Sequence, residues 1–443
     1  MARLALVTVG ITSHLNSCLA LAQMLETAGH TVLLASTRRK IADRVAQEGI
    51  QFMALGDGSA VEASGTRQRL RYESALRGEG IEGLVERWQP DLVLVDSEYH
   101  AVVLQLLGLG LAPLILEYHI APRRRPGLPP PTSLAAPGVG ALAQLRSAAQ
   151  WRWLLLRRRV RLALARLRAG GRDEPSAWRD LARREGLDWR ATVRMDHWPI
   201  LTYPQLTHLF LNAGALQFHG HGDDPAYVGP MVQAARQETA HPPAIDEVRR
   251  YLARRDGTRP LVACLMGSIL SLPDFLRRVR DAAQDADFDL LIAYGKRLTC
   301  DDLAPLPENV QAVSYVPQLE VLEAADALVC HGGIATVNEA VLAHVPMLVC
   351  SGGSLDEHGN AARVVYHRLG LHLDLARSKP RVLRQAIEAL LREPCFREGL
   401  ERMALAYRRC DDQCLALRRI EASLPSPSTV SRKTESTHRD NER

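Results

Sequence analysis

The sequence predicts an α/β protein built from two Rossmann-like, doubly wound parallel-sheet domains that face each other across a cleft. Three observations predict it. The chain has 443 residues, too long for one core and suited to two domains of roughly 200 residues each. β-rich runs alternate with helical periods from the start of the chain, which means parallel strands joined by helical crossovers. The same alternation restarts after a Pro-, Gly- and His-rich stretch from His219 to Pro243, which reads as an interdomain linker.

Leu4–Val9 is a continuous β-rich run, the mark of a buried parallel strand. A helix follows over Leu15–Ala28, closed by Gly29, then a strand over Thr31–Ala35. Arg39–Glu48 reads as a helix capped by Gly49, and Ile50–Leu55 as the next strand. Asp91–Asp96 and Pro113–Glu117 are two further strands with a helical stretch between them. From about Ala121 to Arg194 the rhythm breaks into Pro122–Pro131 and an Arg-rich helical region holding Trp151 and Trp153, and it resumes at Pro199–Thr202. The second half gives strands over Leu261–Leu265, Asp289–Ala293, Val310–Val313, Ala327–Cys330 and Pro346–Cys350, with helices from Asp274 and Ile334. Residues 423–443 are Ser, Thr, Pro and charge without apolar period, a disordered composition. The expected division is 1–235, with a helical insertion at about 122–195, and 236–422, whose last helix packs back on the first domain.

Hydrophobic residues make up 47% of the chain and charged residues 24%, as in ordinary soluble globular proteins. A formal charge of +5 is mild for this length, far from a nucleic-acid-binding balance and compatible with a small anionic ligand. The eight cysteines form no CxxC pair or Cys/His cluster, so no zinc site is expected. Cys264, Cys330 and Cys350 sit in apolar runs and read as buried reduced thiols, pointing to the cytoplasm. Leu4–Ile11 is too short for a secretory leader and lacks a small-residue cleavage site. Ala101–Leu116, broken by Gln105, glycines and Pro113, is too short to span a bilayer.

The strongest chemical signal is His331-Gly332-Gly333-Ile-Ala-Thr336-Val-Asn-Glu339, between a strand and a helix. Glycines there let the backbone approach an anion, and free amides with the helix dipole attract phosphate. His331 and Thr336 offer hydrogen bonds to phosphates, and Glu339, one turn on, a carboxylate for ribose hydroxyls. By itself a Gly-Gly turn more often marks only a tight turn. Upstream lies Tyr315-Val316-Pro-Gln318, and downstream Ser351-Gly-Gly-Ser-Leu-Asp356-Glu357-His-Gly-Asn360. All three loops fall at the carboxyl ends of successive strands, where open α/β sheets bind ligands.

These loops, with Val345-Pro-Met347 and Asn360-Ala-Ala362, resemble the donor signature of the UDP-glycosyltransferases, family 1 of the GT-B superfamily, in its bacterial natural-product, macrolide-type branch. The resemblance implies that Tyr315 stands where the family usually has a base-stacking Trp, and that Val316 and Gln318 meet the base edge. It implies that His331, Gly332, Gly333 and Thr336 hold the diphosphate, and Glu339 the ribose. Gly267-Ser268 matches the family's phosphate-side Gly-Ser. Asp356 and Glu357 replace a frequent Asp-Gln pair at the sugar hydroxyls, and Ala335 replaces a common Asn. Tyr227-Val-Gly-Pro230 resembles the segment that closes the family's first domain.

His14 follows the first strand and Asp96 ends another on the same sheet edge. A histidine beside a carboxylate is a general base whose protonated form the carboxylate stabilises. Alone each reads as an ordinary loop residue; the family's catalytic His and partner Asp match them. The implied reaction is single displacement with inversion onto a hydroxyl of a small lipophilic acceptor, whose pocket Ala121–Trp198 would wall. UDP-glucose is the default donor and co-substrate, a deoxythymidine-linked sugar the alternative, with no metal and no cofactor. Two rivals are a UDP-sugar epimerase on the same fold and a non-catalytic sugar-nucleotide-binding auxiliary protein. The expected partners are small molecules, in a monomer or homodimer. The Arg-rich stretch has two readings, a solvated helix face or a peripheral contact with the inner membrane surface.

Overall fold

The structure, a computed structural model, describes residues 1–56, 80–120, 124–195, 201–233, 236, 238, 241–267, 272–352 and 356–425. Among these residues twelve strands fall into two six-stranded parallel sheets. The first holds β1 (Arg3–Val7), β2 (Thr31–Ser36), β3 (Gln51–Ala54), β4 (Leu92–Asp96), β5 (Leu114–Glu117) and β6 (His208–Phe210), in the order β3-β2-β1-β4-β5-β6. The second holds β7 (Leu261–Leu265), β8 (Asp289–Ala293), β9 (Val310–Val313), β10 (Ala327–Cys330), β11 (Met347–Ser351) and β12 (Gly370–Asp374), in the order β12-β11-β10-β7-β8-β9. Each sheet starts in its middle and winds outward twice, so each has a switch point where the winding reverses: between β1 and β4, and between β7 and β10. Ligand sites of open α/β sheets lie at such points.

The apolar runs are continuous because both sheet faces are covered. In β1, Leu4 and Leu6 enter one core and Ala5 and Val7 another on the opposite face. In β7, Leu261, Ala263 and Leu265 divide in the same way from Val262 and Cys264. Each such buried Leu or Val contributes roughly 1.5–3 kcal/mol. Cys264, Cys330 and Cys350 are buried and free, and burial raises all three thiols, Cys330 to about 12.

Three of the expected elements differ in the structure, and the strand β12 was not expected. The first helix runs over Thr12–Thr27, so His14 lies in its first turn and not in the preceding loop. The expected Arg39–Glu48 helix breaks into a 3-10 turn, Arg39–Ile41, and a short helix, Ala42–Gln47. Of Pro199–Thr202, the last two residues lie within the described residues, and Thr202 only bridges Arg194 in antiparallel sense. The sixth strand is His208–Phe210 instead, joined to β5 with Ile115 opposite His208. The Arg-rich region is helical as expected: one 28-residue helix, Ala141–Arg168, followed by helices Glu174–Arg184 and Trp189–Thr192. The tail from residue 426 lies outside the described residues.

The two lobes are joined by more than the linker. Ile120, Phe210, Leu216 and Tyr227 share a core with Leu328, Val337 and Tyr407. Arg363 donates to the Gln217 side-chain oxygen through Nε at 2.9 Å and Nη2 at 2.6 Å. The last helix, Leu415–Glu421, buries Ala416 and Ile420 in the core beneath the first sheet.

Candidate active site

At the first switch point Val7 of β1 lies beside Val95 of β4, and the chain beyond β1 and the last residue of β4 each supply one member of a pair. His14 Nδ1 lies 2.9 Å from Asp96 Oδ2, with His14 buried and Asp96 fully so. Asp96 Oδ2 also accepts from the Thr8 hydroxyl at 3.3 Å and the Val9 amide at 3.2 Å, and Oδ1 from the Glu98 amide at 3.1 Å. These donors fix the orientation of the carboxyl group. A carboxylate at Nδ1 keeps the imidazole proton there and leaves Nε2 with the lone pair. Tyr118 stacks on the imidazole, ring centroids 3.9 Å apart and planes 6° apart. Its hydroxyl meets Cys18 Sγ at 3.0 Å, and burial pushes the Tyr118 phenol well up and the Cys18 thiol to about 12. The support beneath the imidazole is thus uncharged at neutral pH.

At the second switch point Cys330 of β10 lies beside Leu265 of β7. His331 follows directly, between two glycines: a Cβ on Gly267 would stand 3.0 Å from its Cε1, and one on Gly333 2.6 Å from its Nε2. Gly332 has φ +91°, and a Cβ there would come within 2.6 Å of Val349 Cγ1, so only glycine fits. Asn360 Nδ2 fixes the loop by donating to the Gly332 carbonyl at 2.9 Å. The helix Ile334–Leu342 then opens with no side chain capping its first amides, the arrangement that receives an anion. Burial holds the His331 imidazole below its ordinary value against the pull of Glu357 and Asp356. Its Nδ1 is buried without a hydrogen-bond partner among the described residues, so a neutral imidazole has a nitrogen to offer a ligand. Ser268 lies outside the described residues.

Tyr315, Gln318, Thr336 and Glu339 come together, joined by two residues of the linker that the sequence reading passed over. Gln318 Nε2 donates to Glu339 Oε2 and reaches Thr336 Oγ1 at 3.4 Å. Arg236 Nη1 donates to Glu339 Oε1 at 2.8 Å, and Arg236 Nε to Glu238 Oε1 at 2.7 Å. The Tyr315 hydroxyl donates to Glu238 Oε2 at 2.7 Å, and its phenol is raised by burial and by that carboxylate. Both oxygens of Glu339 are therefore engaged within the protein. Val316 is buried in the shared core and offers packing.

Asp356 and Glu357 begin the helix Glu357–Tyr366, and both are buried. Asp356 Oδ2 lies 3.0 Å from Nδ1 of His119, a residue of the other lobe just past β5. His119 Nε2 is 3.4 Å from Glu98 Oε1. Burial works against the His119 cation, but Asp356 and Glu98 outweigh it and raise this histidine to about 10. Burial likewise opposes the Asp356 charge, and His119 with Asn360 turns the balance downward. His119 was missed by sequence; the rule that ligand-facing residues follow strand ends points at it once β5 is placed. Among the described residues no group of three or more His, Cys, Asp or Glu side chains is placed to hold a metal.

Residues 277–409 match the family model described as erythromycin biosynthesis protein CIII-like, C-terminal domain. An uncharacterized UDP-glucosyltransferase, YdhE, of Bacillus subtilis (strain 168) is 29% identical over 206 residues, 45% of this chain and 48% of that protein. The 4'-demethylrebeccamycin synthase of Lentzea aerocolonigenes is 33% identical over 190 residues, 42% of each chain. The chain thus spans under half the length of these curated relatives. Among solved structures, the glycotransferase of kitacinnamycin superposes with a TM-score of 0.68 at 23% identity, covering 96% of this chain and 99% of that one. The fold is GT-B.

Proposed function

We propose that the chain is a natural-product glycosyltransferase of family 1, like the proteins it resembles, and that it moves a sugar from a nucleoside diphosphate to a hydroxyl of a small natural-product acceptor, with inversion. UDP-glucose is the donor proposed first.

The buried His14–Asp96 pair carries this reading. His14 Nε2 takes the proton of the acceptor hydroxyl as the O–H bond breaks. The freed oxygen pair forms the new bond to the anomeric carbon. The bond from that carbon to the phosphate oxygen breaks on the opposite face, and its electron pair leaves with the nucleoside diphosphate. Asp96 stabilises the imidazolium. The uncapped amides of Ile334–Leu342, with His331, receive the charge growing on the leaving diphosphate. Arg236 and Gln318 hold Glu339 at the ribose side.

The test pairs a panel of UDP- and deoxythymidine-linked sugars, read by thermal protection, with an acceptor screen read by mass spectrometry. His14→Ala should keep nucleotide protection and lose transfer by about a hundredfold or more. Undiminished transfer by that variant would remove His14 from the chemistry.

A further inference from the structure

The Ala141–Arg168 helix buries only Ser147, Trp151 and Arg158. Ser147 Oγ and Trp151 Nε1 hold it to the preceding segment by donating to the carbonyls of Gly127 at 3.0 Å and Leu128 at 2.8 Å. The opposite face turns a continuous apolar stripe to solvent: Leu142, Leu145, Trp153, Leu156, Val160 and Leu167 are each more than half exposed. They recur at the spacing of one helix face, with Ala149 and Leu164 filling the gaps. Seven of the fifteen exposed large hydrophobic side chains among the described residues lie on this one helix. Soluble surfaces rarely leave such a stripe uncovered.

Charge says what covers it. The helix has eight arginines and no Asp or Glu. Arg152, Arg159 and Arg166, spaced by seven, run along one flank of the stripe, and Arg157, Arg161 and Arg168 along the other. All six are exposed. Below the first flank a cavity of about 660 Å³ is lined by Arg158, Arg179, Arg190 and Arg194 beside Trp189, with Asp173 the one acidic side chain among the described lining residues. A second copy docking by the same face would set arginine rows against arginine rows with no carboxylate on either helix. At 1.5 Å per residue the helix is about 40 Å long, and a stripe of that length meets a flat partner along its whole extent. No helix among the described residues is long and apolar enough to cross a membrane, so this one can lie on a bilayer but not span it.

We propose that the Ala141–Arg168 helix seats the protein on an anionic lipid surface, with the Leu142–Leu167 stripe at the acyl boundary and the arginine rows on the phosphate headgroups. Arginine stems bury along the apolar edge while their guanidinium groups stay at headgroup level. The lobe that carries His14 then rests against the bilayer, where a lipophilic acceptor concentrates.

The full chain is sedimented with vesicles of phosphatidylcholine alone and with vesicles of roughly one third phosphatidylglycerol. Binding is expected on the anionic vesicles, weakened by salt, and not on phosphatidylcholine alone. Replacing Arg152, Arg159 and Arg166 together by Gln should weaken it about a hundredfold. Trp153→Glu with Val160→Glu should abolish it while leaving the melting temperature unchanged, since both side chains are exposed. Equal partitioning onto the two vesicle types, no partitioning, or undiminished binding by the double Glu variant would overturn the proposal. So would a lipid-independent dimer, or a complex with an acidic protein, that the double Glu variant dissolves.

Discussion

His119 of the first lobe and Asp356 of the second meet at 3.0 Å, so the helix that follows β11 is tied by an ion pair to the end of β5. The side chains are nearly buried, and Glu98 stands on the other side of the imidazole at 3.4 Å. This cation between two carboxylates lies where the sheet edges of the two lobes approach one another.

Asp356→Asn should destabilise the protein by roughly 3 kcal/mol at neutral pH, because removing one member of a buried pair leaves the other uncompensated. The pH dependence follows from the direction of the His119 shift, from an ordinary 6.5 up to about 10 on folding. A raised histidine contributes fully below pH 6.5, and its contribution declines as pH rises and is gone above about 10. Thermal melts of the native protein and the variant should therefore differ most near pH 6.5 and converge by about pH 10. A gap that stays constant across this range would show that His119 is not the titrating group.

Asp96→Asn should keep the His14 position but lose the carboxylate that fixes the Nδ1 proton and stabilises the imidazolium. Transfer should fall by about a hundredfold or more, with nucleotide protection retained. Single-turnover rates with donor and acceptor saturating would measure it; a loss confined to KM would instead assign Asp96 to binding.

Gly332→Ala sets a methyl within 2.6 Å of Val349 Cγ1 at φ +91°. The cost should be about 1–3 kcal/mol, and nucleotide protection should weaken because the amides beyond Gly332 shift. Melting with and without nucleoside diphosphate separates the two effects. An unchanged melting temperature would mean that the loop relaxes without strain.

Arg236→Met should leave Glu339 and Glu238 facing each other without their shared cation. A loss of about 1–3 kcal/mol is expected for the stranded buried groups, with donor KM rising more than kcat falls. Steady-state kinetics at varied donor concentration decides it, and an unaltered KM would place Arg236 outside donor recognition.

The fold was legible because both sheets are covered on two faces. The inner strands of the second sheet read as apolar runs, and Leu261–Leu265, Asp289–Ala293 and Ala327–Cys330 fall on their predicted bounds, whereas the half-exposed edge strand β12, with His372 and Asp374 in it, was not read from the sequence. β6 was not legible. It is three residues at a sheet edge, and its first, His208, is buried with Nδ1 2.8 Å from Glu117 Oε1 and Nε2 3.0 Å from the Tyr203 carbonyl, and local sequence does not reveal the pairing with Glu117. The His14–Asp96 pairing was readable because each residue closes or follows an obvious strand. His119 also follows a strand, but its partner Asp356 stands 237 positions away and no periodicity connects them. Arg236 and Glu238 were hidden in a stretch whose Pro and Gly content reads as a plain connection, although their side chains reach the donor-side cluster.

The backbone passes between the lobes twice, once beyond Gly229, which packs against Cys410, and once at Cys414 before the helix Leu415–Glu421 enters the first core. Besides these two covalent crossings, the core that joins Ile120 and Phe210 to Leu328 and Val337 and the Arg363–Gln217 hydrogen bonds bind the halves. Cutting the chain at either crossing would therefore remove one covalent tie and leave the non-covalent ones in place.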